Sequence, residues 1–158
     1  MKTATVSEIK KELKQRSPEE IMELCLRLSR FKKENKELLT YLLFESEQEE
    51  SYVKELKKAI DEQFENVNTK NFYLIKKSIR RILREVKKYI RYSPKKETEV
   101  ELLIYFCGKL KNFKPSIKKN KTMVNLYERQ ILFIEKKIAL LHEDLQYDYS
   151  LEIEDLTL

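Results

Sequence analysis

From Asn71 to Tyr92 the apolar residues step along the chain by threes and fours: Phe72, Ile75, Ile79, Ile82, Val86 and Tyr89, with Leu83 and Ile90 widening the stripe. Residues at that spacing share one face of a helix. The segment therefore predicts an amphipathic helix of about 22 residues, roughly 33 Å long at 1.5 Å per residue. The same period recurs elsewhere. Val6, Ile9 and Leu13 mark a short first helix, and Ile21, Leu24, Leu28 and Phe31 a second. Leu38, Leu39, Leu42 and Leu43 follow, then Val53, Leu56, Ile60, Phe64 and Val67, then Val100, Leu103, Cys107 and Leu110. A long last helix carries Val124, Tyr127, Ile131, Ile134, Ile138, Leu141 and Leu145, with a second row at Leu126, Phe133, Leu140 and Tyr147. So wide a face predicts that this helix lies between two neighbours or forms part of an interface. The fold class expected is all-α, a helical bundle or a short α-α helical-repeat array of six to seven helices.

Polar signals bound these stripes. Ser17-Pro18-Glu19-Glu20 supplies an N-cap, a Pro at the first helical position and a Glu that reaches back to the cap. Thr98 to Glu101 reads as a second capping box. Ser93-Pro94 and Pro115 close helical segments, and Gly108 weakens the one it lies in. Ser-Pro pairs at Ser17 and Ser93 stand about half a chain apart, but the residues after them drift out of register, so they argue only weakly for duplication. The last twelve residues alternate apolar with polar: Tyr147, Tyr149, Leu151, Ile153 and Leu156 among Asp148, Glu152, Glu154 and Asp155. They lack the spacing of a further helix yet are too apolar for a solvated tail. We expect one helical domain over 1–146 and an acidic tail over 147–158, docked on a basic groove of this chain or of a second copy.

The N-terminal run also resembles a known family. Ile9-Lys10 and Leu13, Ser17 to Leu24, Phe31-Lys32-Lys33, Lys36-Glu37 and Tyr41-Leu42 are similar to the opening of an uncharacterised bacterial family of small, Lys-rich, all-helical proteins, a domain of unknown function. The likeness lies mainly in residues 7–45. It implies a bacterial source and a helical fold, and it offers no catalytic residue to carry over.

Composition narrows the chemistry. One Gly in 158 residues leaves no phosphate-binding Gly-rich loop, and a charged fraction of 38% suits long solvated helices better than strands joined by tight turns. The longest apolar stretch, Leu38 to Phe44, falls far short of the roughly 20 residues a membrane span needs. The first residues lack a signal peptide's apolar core, so a cytoplasmic location is expected. Cys25 and Cys107 belong to no metal-binding or disulfide spacing and read as buried, reduced thiols. His142, the single histidine, has no second His and no H-E-x-x-H pattern, and reads as a helix-end residue. No metal, cofactor or catalytic constellation is expected.

Charge is the remaining signal. Between Lys76 and Lys96 stand ten basic residues against one acid, Glu85, on the side of the long helix away from its apolar stripe. Lys77, Arg80, Arg81, Arg84, Lys87, Lys88 and Arg91 form a ridge able to track phosphates, although such a run is most often only a solvated face. Lys109, Lys111, Lys114, Lys118, Lys119 and Lys121 form a second basic set. Acids concentrate at Glu45 to Glu65, with eight against three lysines, and at His142 to Leu158, with six and no Lys or Arg. The function these features favour is a non-enzymatic helical protein-interaction module, partnered by another protein or by itself. The alternative is nucleic-acid or polyanion binding through the basic helix 76–96.

Overall fold

Eight α-helices and no strand build the chain, more than the six to seven expected, in a computed structural model that describes residues 1–158. The chain divides into two compact units, Met1–Phe44 and Glu45–Leu158.

In the smaller unit, α1 (Val6–Leu13) and α2 (Pro18–Phe31) each begin at a capping box. Ser17 Oγ accepts the Glu20 amide at 3.2 Å while the Ser17 amide donates to Glu20 Oε2 at 2.8 Å, and Thr5 and Glu8 repeat the arrangement. A single extended residue, Lys32, separates α2 from α3 (Lys33–Thr40), which packs along α2. Asn35 Nδ2 donates to the Leu28 carbonyl at 2.8 Å, satisfying a group that the end of α2 leaves open. A π-helical turn, Tyr41–Glu45, follows. Tyr41 is the only buried residue between 1 and 44. Cys25, expected inside, is exposed, because two paired helices and a short third give no second layer to cover it.

The larger unit comprises α4 (Glu49–Glu65), α5 (Phe72–Ile90), α6 (Lys96–Lys111), α7 (Lys121–Ile138) and α8 (Glu143–Glu154), with a 3-10 turn at Ile117–Lys119. Helix α6 is central: α4, α5, α7 and α8 all pack on it. Its sequence from Val100 to Cys107 is apolar nearly all round, and Val100, Leu102, Leu103, Phe106 and Cys107 are fully buried. Helix α5 buries the stripe its spacing predicts, Ile75, Ile79, Ile82, Val86 and Ile90. Along α7, Met123, Tyr127, Gln130, Ile134 and Ile138 face inward, and Gln130 Oε1 finds no hydrogen-bond partner there.

Three local expectations need correction. Thr98 is not a cap: α6 begins two residues earlier, and the buried Thr98 hydroxyl donates to Glu49 Oε1 at 2.6 Å. Ser93 also gives its hydroxyl to Glu49, so Ser17 and Ser93 have unlike roles and the notion of duplication loses its marker. The long last helix stops at Ala139, and the chain restarts at His142, which is the N-cap of α8 with Nδ1 accepting the Asp144 amide at 3.4 Å. His142 thus opens a helix and does not close one. Glu143 and Asp144 in the first turn suit the positive end of the helix dipole, which favours this restart.

The segment expected as a non-helical tail is mostly helix, since α8 runs through 146 to Glu154. Leu145, Tyr149, Ile153 and Leu156 lie against the core at spacings of four, four and three. Tyr127 Oη donates to the Leu156 carbonyl at 2.6 Å, and Lys111 Nζ to the Asp155 carbonyl at 2.6 Å. The segment thus rests on this chain's own surface, but through apolar side chains and two backbone carbonyls and not through pairing of its acids with a basic groove. The surface is that of α7 and α6.

Candidate interaction surfaces

The basic ridge divides in two. Arg80, Arg84, Lys87, Lys88 and Arg91 line one open hollow with Leu83, Glu99 and Phe133, a space of about 520 Å³ formed by α5, α6 and α7. Lys77 and Arg81 are exposed on the same helix but stand outside it. Phe133 is its aromatic wall: Lys87 Nζ lies 5.2 Å from the ring centroid on one side and Lys137 Nζ 5.0 Å on another. Lys137 is also held by Glu99 at 2.9 Å, so one acid of the hollow is already matched. Arg80, Arg84 and Arg91 remain exposed, with their charge turned to water. The arrangement is a basic concavity whose one ring is already flanked by two ammonium groups, a concentration of positive charge suited to a phosphate-bearing ligand.

Two members of the second basic set, Lys109 and Lys111, tie helices together, while Lys114, Lys118, Lys119 and Lys121 are exposed. Lys109 pairs with Asp61 at 2.7 Å, and Tyr105 Oη donates to both Asp61 oxygens at 2.8 and 2.9 Å, tying α6 to α4. Burial opposes ionisation of Asp61, but the hydrogen bonds from Lys109 and Tyr105 and the Lys109 charge outweigh it and hold the carboxyl below its ordinary value. Lys109 is raised in turn, first by its hydrogen bond to Asp61. In α8, the Glu152 carboxyl is pushed up by desolvation and then by Glu101, with Lys57 opposing, which places its charge beside α4 and α6. No cluster of three or more His, Cys, Asp or Glu side chains has metal-holding geometry.

The smaller unit presents the opposite kind of surface. Of eighteen large apolar side chains that stand exposed in the chain, thirteen fall within residues 1–44. Along α2 they form the stripe read from the sequence, and Leu28 is 60% and Phe31 76% exposed. Helices α1 and α2 flank an open groove of about 880 Å³ whose floor carries Ile9, Leu13 and Leu24 and whose rim carries charges of both signs, Glu23 and Arg27 among them. The wide face of α7, by contrast, is largely taken up by α6 and α8. That is the first of the two arrangements its width predicted, a helix lying between two neighbours. The stripe of α2 was expected in a core, whereas within residues 1–44 only Tyr41 is buried.

No protein-family model, characterised protein or solved structure matches this chain. No helix is long and apolar enough to cross a membrane.

Proposed function

We propose that the chain is a non-enzymatic interaction module of the cytoplasm in which Glu45–Leu158 is a helical bundle built on α6 and Met1–Phe44 is the element that associates. The observation that carries this reading is the exposed apolar surface of the smaller unit. A segment of about 40 residues is normally stable only when disulfides, a metal or association supplement its core. This unit has one cysteine and no metal-holding cluster, which leaves association as the source of burial. An apolar surface this concentrated on a small unit marks an interface. A photo-crosslinking residue placed at Leu28 in the cell of origin is expected to give an adduct with a protein chain, while the same residue at Lys136 on the exposed side of α7 gives none. Absence of any Leu28 adduct would overturn the module reading.

The hollow beside Phe133 supports a second reading, polyanion binding. Arg80, Arg84 and Arg91 reversed to Glu together should then abolish polynucleotide binding, and affinity of the unaltered chain should fall steeply with salt, each lost phosphate contact lowering the slope by about 1. Unaltered binding in that triple variant would remove this reading.

A further inference from the structure

Resting on the polyanion reading of the basic hollow, we infer that its ligand is a single strand of nucleic acid, held by a row of phosphate contacts along α5 and by one base stacked on Tyr73. At about 100° per residue, Tyr73 and Arg91 fall on one line along α5, and Arg80, Arg84 and Lys87 lie within about 40° of it. That line is on the far side of the helix from the buried Ile75, Ile79, Ile82 and Val86. From Tyr73 to Arg91 it runs roughly 27 Å, and from Arg80 onward its cations follow one another at about 4.5–6 Å along the axis. Four cations in line match a site of about four nucleotides, the small end of single-strand footprints.

The ring decides which polyanion the row selects. In the larger unit Tyr73 and Tyr147 are the exposed aromatic side chains. Tyr147 stands beside Glu143, Asp144 and Asp148 of α8, which repel phosphate, and Phe133 is flanked by two ammonium groups. Tyr73 is 70% exposed, with Lys76 and Lys77 one turn further along the helix. A row of cations alone fits any polyanion. A row ending in an open ring favours one whose bases are free of pairing, because the bases of a duplex offer only their edges. Apart from Tyr73, the outward arc of α5 up to Arg91 is all Lys and Arg, without the Asn, Gln, Ser or Thr that would read a base edge or a 2′-hydroxyl. The strand is therefore bound with little regard to sequence or sugar.

The test uses the full chain. It has no tryptophan, so Tyr73→Trp places a single fluorophore at the end of the row. An oligo-dT and an oligo-U of about 12 nucleotides should each quench it on binding, while inorganic polyphosphate binds without quenching. Tyr73→Ala should weaken both strands about tenfold or more at fixed salt and leave polyphosphate affinity unchanged, and Tyr73→Phe should keep the strand affinity. A duplex of the same length should bind more weakly than either strand. Absence of quenching at saturating strand, an unchanged strand affinity in Tyr73→Ala, or a duplex bound as tightly as the strands would overturn the inference. If strands, duplex and polyphosphate bind alike and all are lost on reversing Arg80, Arg84 and Arg91, the polyanion reading stands and the stacked base does not. If none of them binds, both fall.

Discussion

Gly108 lies near the C-terminal end of α6 with room for a methyl group: a β-carbon there would stand 3.9 Å from Leu156 Cδ2, an ordinary contact. Glycine within a helix costs about 0.5–1 kcal/mol relative to alanine. Gly108→Ala is expected to stabilise the chain by about that amount, read as a higher urea midpoint at unchanged slope. The two cysteines separate by environment. Burial pushes the Cys107 thiol up to about 12, while Cys25 stands in the open. A thiol reagent is expected to label Cys25 promptly in native buffer and Cys107 only after unfolding; equal rates would contradict the placement of one of them. Helical spacing told which way Cys25 points along its helix. It could not tell whether a second layer exists to meet it, because burial is a property of neighbours distant in the chain.

At the scale of elements, α8 is held by few but well-placed contacts. Tyr127→Phe would leave the Leu156 carbonyl without its buried donor at a cost of about 1–3 kcal/mol. The expected result is a lower melting temperature with earlier proteolytic cleavage in α8. The tie between α4 and α6 has a pH signature. Asp61 is depressed in the fold, so its stabilising effect is complete above its unfolded value, about 3.9, and is lost as pH falls through the lower folded value. Lys109 is raised, so its contribution persists below about 10.4 and fades as pH rises through the folded value. The stability difference between wild type and Asp61→Asn should be flat near neutrality and shrink in acid; a difference unchanged below about pH 3 would argue against the ion pair. Most helices were legible from their spacing, α5 nearly to the residue. The last was missed because Tyr147, Tyr149, Leu151 and Ile153 read as an alternation, whereas Leu145, Tyr149, Ile153 and Leu156 share the inner face. The two periods overlap in those residues, and only the docking surface of α7 and α6 decides between them.

Across the whole molecule, burial is unevenly shared. Helix α6 touches every other helix of the larger unit, so its amides are expected to exchange with solvent only on complete unfolding of that unit, while those of α1–α3 exchange fastest. Rapid exchange along α6 would break this picture. For α6 the spacing marked only Val100, Leu103, Cys107 and Leu110; that Leu102 and Phe106 are buried too, making it the central helix, follows from the four neighbours packed around it. The basic run was visible too, but not that Phe133 of α7 would stand within it, since nothing in a linear pattern brings residues of three helices together. The position of α6 in the chain also fixes an order of assembly during synthesis, when the helices leave the ribosome in sequence. Helices α4 and α5 emerge able to pack only on each other, and the part of their apolar stripes that α6 covers stays open until α6 arrives. After that, α7 and α8 each meet a surface already formed. The interval before α6 is thus when the nascent chain of this protein exposes the most apolar surface.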